Sequence, residues 1–263
     1  TMNIAICLYT YFPYGGLQRD FLRIAEVLVK RGHHVRVYTR KWDADVKPEW
    51  LDIVFVPTSA FSNHSKNAQY YNWVQNHLKD HPVDKVVGFN KMPNLDVYYG
   101  ADVCFLEKTQ DKNFFYKLSG RYKHYTEFEK LTVGRGLKTK LMIITPNQKR
   151  DFQKHYQTED DRFYLLPPGI SADRKYSNFP INAREKFRSE HQLTDDDFVL
   201  LAIGSDFKRK GVDRSIEALA SLPQELRSRT YLYVIGLDKE GPFEKRAQEL
   251  GVSKQVRFWG GRD

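Results

Sequence analysis

The run Ile4-Ala5-Ile6-Cys7-Leu8-Tyr9 leads through Tyr11-Phe12-Pro13-Tyr14-Gly15-Gly16 into a stretch with Leu17, Phe21, Ile24, Ala25, Leu28 and Val29 on one helical face. A buried strand that passes through paired glycines into an amphipathic helix restricts the fold more than any other segment. The alternation continues, with residues 34–39, 53–56, 85–89 and 140–145 reading as strands, 67–79 as a polar helix and 97–105 as a further apolar run. This order predicts an α/β fold, a parallel sheet with helices on both faces. Ligands of such sheets bind at the carboxyl ends of strands, where Gly15-Gly16 lies. A glycine pair there lets a phosphate approach bare backbone and the unpaired N–H groups of a helix start. A plain tight turn reads the same way, and the spacing is not the dinucleotide pattern G-x-G-x-x-G.

Leu165-Leu166-Pro167-Pro168-Gly169-Ile170 marks a domain exit, dividing the chain into residues 1–168 and 169–263. A second alternation follows: a helix near 183–191, a strand at 198–204, a helix at 212–222, a strand at 231–236, a helix near 243–250 and a strand at 256–259. Three strands with no further crossover predict a second sheet that is incomplete. The strand at 198–204 opens into Gly204-Ser205-Asp206-Phe207-Lys208-Arg209-Lys210-Gly211, again a strand-to-helix loop, now with consecutive cations. It lacks the G-x-x-x-x-G-K-[ST] spacing of nucleoside triphosphatases. An Arg with a planar fork beside a Lys point charge suits a diphosphate, and a solvated basic turn is the plainer reading.

The whole chain carries 42 Lys and Arg against 33 Asp and Glu, a net charge of +9, which favours anionic partners. Its two cysteines, Cys7 and Cys104, lie in apolar runs and read as buried thiols in a reducing compartment. No leader precedes the first strand and no apolar run reaches membrane-spanning length, so the expected location is cytoplasmic.

Residues 11–21, Gly88-Phe89-Asn90-Lys91-Met92-Pro93 with Leu95-Asp96-Val97-Tyr98, and residues 166–170 and 204–214 together resemble family 4 retaining glycosyltransferases of the GT-B fold. The likeness is strongest to members that build the bacterial lipopolysaccharide core, and it runs along essentially the whole chain. It implies two doubly wound, Rossmann-like domains facing a donor cleft, the first on the acceptor side and the second holding the nucleotide sugar. It also implies transfer of glucose from UDP-glucose to an inner-core heptose, without a metal or other cofactor. Carried over by position, Gly15 and Gly16 approach the donor phosphates and Asp20 lies at the cleft. Arg209 and Lys210, in the loop that begins at Gly204, hold the diphosphate and neutralise the departing UDP. Arg174 faces the cleft and Arg262 lines the nucleotide. Asp102 belongs to the sugar or acceptor side. Asp102 and Arg174 read equally well as ordinary surface or capping residues.

Members of the family carry a Glu-x7-Glu motif late in the second domain, and this chain ends before it. The expectation is therefore an incomplete donor site that binds its donor poorly. Two rival readings stay open: a related family 4 transferase with another UDP-sugar or acceptor, and an inactive, membrane-associated binding module.

Between 105 and 133 the chain mixes aromatics and cations in Phe114-Phe115-Tyr116-Lys117 and Arg121-Tyr122-Lys123. Such a mixture suits the headgroup layer of an anionic membrane, which would place the protein peripherally on the cytoplasmic face of the bacterial inner membrane. Single-stranded nucleic acid and a plain helix with a buried aromatic face are the competing readings, and no nucleic-acid partner is expected. Asp195-Asp196-Asp197 reads as a solvated loop, and His33, His34, His64, His77 and His81 lack zinc-site spacing.

Overall fold

The computed structural model describes residues 1–262. The chain divides into two compact units, Thr1–Gly169 and Ile170–Asp263.

The first unit is built on a seven-stranded sheet. In chain order its strands are β1 (Asn3–Cys7), β3 (His34–Thr39), β5 (Asp52–Phe55), β6 (Lys85–Gly88), β7 (Val97–Gly100), β8 (Lys140–Ile143) and β9 (Phe163–Leu165). Across the sheet the order is β5-β3-β1-β6-β7-β8-β9, every pair parallel. The short strands β2 (Thr10–Tyr11) and β4 (Lys41–Trp42) pair separately, and Tyr11 stacks on Trp42 with ring centroids 3.9 Å apart. Helix α1 (Gly16–Lys30) buries Phe21 and Ala25 against Ile4, Ile6 and Leu8 on one face of the sheet. Ala5 and Cys7, the alternate residues of β1, point into a second core on the other face with Tyr70 and Val74 of α2 (Asn63–Asp80). This period-2 division of an almost wholly apolar strand is what a sheet covered on both sides requires.

Residues 105–156 hold more helix than the sequence pattern reveals. The basic aromatic segment forms α3 (Phe105–Thr109), α4 (Phe114–Lys117) and α5 (Gly120–Val133), and α6 (Pro146–Tyr156) follows β8. Asn113 and Ser119 cap α4 and α5, accepting from the Tyr116 and Tyr122 amides. The carboxyl end of α5 meets the buried Arg162, whose guanidinium donates to the carbonyls of Thr132 (3.1 Å) and Gly134 (2.6 Å). A cation there satisfies orphan carbonyls and complements the helix dipole.

The second unit holds a three-stranded parallel sheet, β10 (Phe198–Ile203), β11 (Thr230–Ile235) and β12 (Val256–Phe258), in that order. Its helices are α7 (Ala183–Glu190), α8 (Phe207–Lys210), α9 (Val212–Ser221), α10 (Gln224–Arg227) and α11 (Gly241–Glu249). Phe207, Ile216, Leu219, Leu232, Val234 and Ala247 form its core. β10 is an edge strand, and Phe198, Leu200, Leu201 and Ile203 along it are exposed. Cys7 and Cys104 are free, buried thiols, and burial pushes both up to about 12.

Candidate functional site

In the first unit the candidate residues stand around the carboxyl ends of β1, β6 and β7. Gly15 is the residue before α1, with φ −80° and ψ 137°, and Gly16 is the first residue of the helix. Neither needs a left-handed backbone. A Cβ on Gly15 would fall 1.8 Å from Gln18 Oε1 and 2.6 Å from the Phe12 ring, whereas one on Gly16 would meet open space. A side chain at Gly15 would displace Gln18, which turns back to donate to the Thr10 carbonyl at 3.1 Å. Gly16 keeps the approach to the helix start clear. No side chain caps α1 and no acidic residue occupies its first turn, so its N-terminal amides face outward.

Asp20 lies one turn on. Its carboxylate accepts a hydrogen bond of 2.6 Å from the Tyr99 hydroxyl on β7. Burial first, then the adjacent Asp20 carboxylate, push the Tyr99 phenol up, so it stays protonated as the donor. Asp102 sits just past β7 with its side chain exposed, while Gln148 Nε2 donates to the carbonyls of Gly100 (2.6 Å) and Asp102 (3.0 Å) and fixes the backbone on which it stands.

Asp102 also lines a cavity of about 260 Å³ that opens against α3 and α5. Its floor comes from Tyr9 after β1 and from Asn90 and Lys91 after β6, its far wall from Phe105, Lys108, Arg121 and His124. One residue holds this wall in place. The fully buried Glu129 of α5 accepts from Lys91 Nζ (2.6 Å), from the Phe105 and Leu106 amides at the start of α3 (2.6 and 3.2 Å) and from the Tyr156 hydroxyl (2.6 Å). Burial by itself would raise its carboxyl, but the Lys91 charge and these hydrogen bonds outweigh that and hold it below the ordinary range. From the opposite side Lys154 and His155 of α6 grip Glu107 of α3 at 2.9 and 2.5 Å, drawing that carboxyl down to about 2. The imidazole of His124 is pushed down to about 4, by burial and then by His64, and is neutral at pH 7.

In the second unit the loops after β10 and β11 meet closely. A Cβ on Gly236, whose φ is +150°, would lie 2.4 Å from the Gly204 carbonyl oxygen, so only glycine fits there. Asp238 accepts from the Phe207 amide at 2.7 Å and ties the β11 loop to the start of α8. That bond, with one from the Lys239 amide, lowers the Asp238 carboxyl. The three consecutive cations are not equivalent. Lys208 pairs with Asp213, and Arg209 Nε lies 2.9 Å from Asp206, which itself stands at φ 61° and caps α8 through the Arg209 amide. Lys210 forms no ion pair among the described residues, and its stem runs beside Gly204.

The amide of Gly236 also donates to the Gly260 carbonyl at 2.9 Å, bringing the β12 loop to this rim. Arg262 sits in that loop with its guanidinium 5.8 Å from the centre of the Trp259 ring. Gly204, Arg209, Lys210 and Arg262 are thus on one rim. Arg174 stands apart from them in sequence, exposed at the end of a one-turn 3-10 helix (Ala172–Arg174), with no ion pair among the described residues. Asp195 and Asp196 are exposed, while Asp197 accepts from the Thr194 amide and hydroxyl and closes a turn.

The sequence alone assigns no role to Tyr99, Lys91, Glu129, Asp206 or Asp238, although Lys91 and Asp206 stand inside motifs it singles out. The clearest available signal is Glu129, which shares a helical face with Phe128, Thr132 and Val133, an acid on an otherwise buried stripe.

A family model described as Glycosyltransferase Family 4 matches residues 14–174, and one described as Glycosyl transferases group 1 matches residues 183–263. Over 263 residues the chain is 57% identical to the lipopolysaccharide glucosyltransferase WaaG of Escherichia coli (strain K12), spanning all of this chain and 70% of that protein. A crystal structure of WaaG, a glycosyltransferase involved in lipopolysaccharide biosynthesis, matches with a TM-score of 0.93 over 99% of this chain and 70% of that one. The apo form of the lipopolysaccharide outer core galactosyltransferase WaaB matches with a TM-score of 0.59 at 12% identity, covering all of this chain and 69% of that one, a likeness of fold alone.

Proposed function

The chain belongs to glycosyltransferase family 4, and from that premise we propose that it moves glucose from UDP-glucose to an inner-core heptose of lipopolysaccharide. The observation that carries this reading is the 57% identity to a lipopolysaccharide glucosyltransferase along the whole chain. In the proposed reaction the sugar is transferred with retention: the acceptor hydroxyl attacks the face from which UDP departs. Lys210, and Arg209 once released from Asp206, take the charge that builds on the diphosphate, a task of electrostatic stabilisation that asks for no metal. Gly16 leaves room for the donor's phosphates at the start of α1. Asp20, oriented by Tyr99, and Asp102 accept from sugar hydroxyls. Arg262 borders the nucleotide, and Arg174 contributes charge nearby.

The same reading places the protein at the surface of an anionic membrane. Support comes from α4 and its neighbours, where Phe114, Phe115 and Leu118 are 69%, 80% and 50% exposed beside Lys117 and Lys123. No helix among the described residues is long and apolar enough to cross a membrane. Tyr116 and Tyr122 pack on each other at 5.8 Å and supply the wall behind this patch.

Competition between UDP-glucose and UDP-galactose for transfer to a heptose-terminated acceptor tests the donor assignment. Glucose incorporation that excess UDP-galactose leaves unchanged is the expected result. Equal incorporation of both sugars contradicts it.

A further inference from the structure

The cavity beside Asp102 has a charge pattern that a neutral sugar does not call for. Of the three cations that line it, Lys91 is neutralised by Glu129. Lys108 and Arg121 have no acidic partner among the described residues, although both stand on the cavity wall. The Arg121 guanidinium lies 4.9 Å from the centre of the Tyr125 ring, a cation–π contact that favours its place at the cavity. Two polar atoms of the lining residues are buried without any hydrogen-bond partner, the Tyr9 hydroxyl and His124 Nε2. Orphaned buried groups of this kind are costly unless something in the space beside them supplies a hydrogen-bond partner. Asp102 adds a carboxylate that accepts hydroxyls and cannot receive an anion.

A group that satisfies this set carries hydroxyls for Asp102 and an oxyanion for the cations. We propose that the cavity seats an oxyanion borne by the acceptor glycan, a phosphate ester or a sugar-acid carboxylate, held by Arg121 and Lys108, with Tyr9 and His124 completing its hydrogen bonds. The proposal rests on the glycosyltransfer reading and names what its acceptor must carry. It also separates Arg121 from the exposed patch around Phe114 and Phe115: Arg121 serves the cavity, while Lys117 and Lys123 remain outside its lining. Rigidity favours such a role, since Glu129 and Glu107 pin α3, which carries Lys108, from two sides.

The test is direct binding of a deacylated core oligosaccharide, titrated calorimetrically without donor. The oligosaccharide is used untreated, phosphatase-treated, carboxyl-reduced, and with both treatments. Charge-assisted bonds of this type predict that Arg121→Gln weakens binding of the untreated glycan about 10–100-fold. Lys108→Gln weakens it several-fold, Arg121→Lys loses less than Arg121→Gln, and Lys254→Gln, an exposed control, changes nothing. One of the two treatments reproduces the loss in the unsubstituted protein and abolishes its sensitivity to Arg121→Gln, which identifies the anion.

Equal binding of untreated and doubly treated glycan overturns the proposal, as does normal glycan binding by Arg121→Gln. So does an Arg121→Gln defect confined to vesicles of phosphatidylglycerol, which would assign the residue to the membrane. UDP release measured in parallel keeps the two readings apart. Anion-dependent binding without transfer contradicts the proposed glucosyl transfer by this chain and leaves the cavity assignment standing, and transfer with anion-independent binding does the reverse. A folded protein that binds no form of the glycan contradicts both.

Discussion

The Tyr99 hydroxyl donates to the Asp20 carboxylate at 2.6 Å, joining residues 79 apart in sequence. The bond ties the second turn of α1 to the end of β7, and so couples the glycine-paired helix start to the strand that leads to Asp102. Tyr99→Phe is expected to cost about 1 kcal/mol of stability in urea denaturation, because the half-buried carboxylate can turn to water. In the transfer reaction the same variant lowers kcat about 10-fold while the donor KM changes little, since it frees the orientation of Asp20 rather than removing a contact to the diphosphate. An unchanged kcat places Asp20 outside the reaction.

The Lys91–Glu129 pair predicts a larger effect on stability. Glu129→Ala or Lys91→Met leaves a buried partner uncompensated and costs about 3–5 kcal/mol, whereas the double substitution costs less than the sum. The carboxyl is held below its ordinary value in the fold, so its contribution is complete above about pH 4.5 and is lost as pH falls through the folded-state value. Chemical denaturation at pH 7 and pH 4 on the single and double variants reads both effects.

His124 supplies a pH dependence of its own. Its folded-state value is about 4 against an ordinary 6.5, so between these the unfolded chain binds a proton that the fold does not. Stability therefore falls as pH drops from 6.5 toward 4, by about 2 kcal/mol. His124→Asn removes that slope. A substituted protein with the original pH profile between 6.5 and 4.5 contradicts the assignment.

For the donor, the roles proposed for the loop cations predict unequal effects. Lys210→Ala and Arg209→Ala are expected to lower kcat about 100-fold, in the range found for single oxyanion-stabilising groups. Lys208→Ala, whose charge is already taken by Asp213, is expected to lower it less than 10-fold. Steady-state kinetics on the three variants checks the ranking, and equal losses at all three contradict it.

At the membrane, Phe114→Ser with Phe115→Ser removes two exposed rings and is expected to weaken adhesion to anionic vesicles at least about 10-fold. Fold and transfer to a soluble acceptor stay intact. Vesicle flotation reads the first and UDP release the second.

What the sequence made legible follows from how each signal is encoded. β1, β3, β10 and β11 are short runs rich in apolar and β-branched residues bounded by polar turns, so their positions match expectation within a residue or two. The loops at Gly15 and Gly204 are local motifs and were equally visible. The region of α3 to α6 was not. Its aromatics serve as core, cavity wall and exposed patch at once, Phe128 buried, Phe105 on the cavity and Phe115 exposed. No single helical stripe describes such a segment. The ties that shape the site are the least legible part, since Tyr99 to Asp20 and Glu129 to Lys91 join residues whose proximity only the sheet order creates. The unequal ion pairing of Lys208, Arg209 and Lys210 likewise depends on where Asp206 and Asp213 stand, which composition does not signal.

Glucosyl transfer is measured most directly as UDP release by this chain with UDP-glucose and heptose-terminated lipopolysaccharide, set against UDP-galactose and against acceptor-free controls. Acceptor-dependent release with UDP-glucose, reduced about 100-fold in Lys210→Ala, is the predicted result. Release that ignores the acceptor, or that is as fast with UDP-galactose, contradicts glucosyl transfer from UDP-glucose to that acceptor.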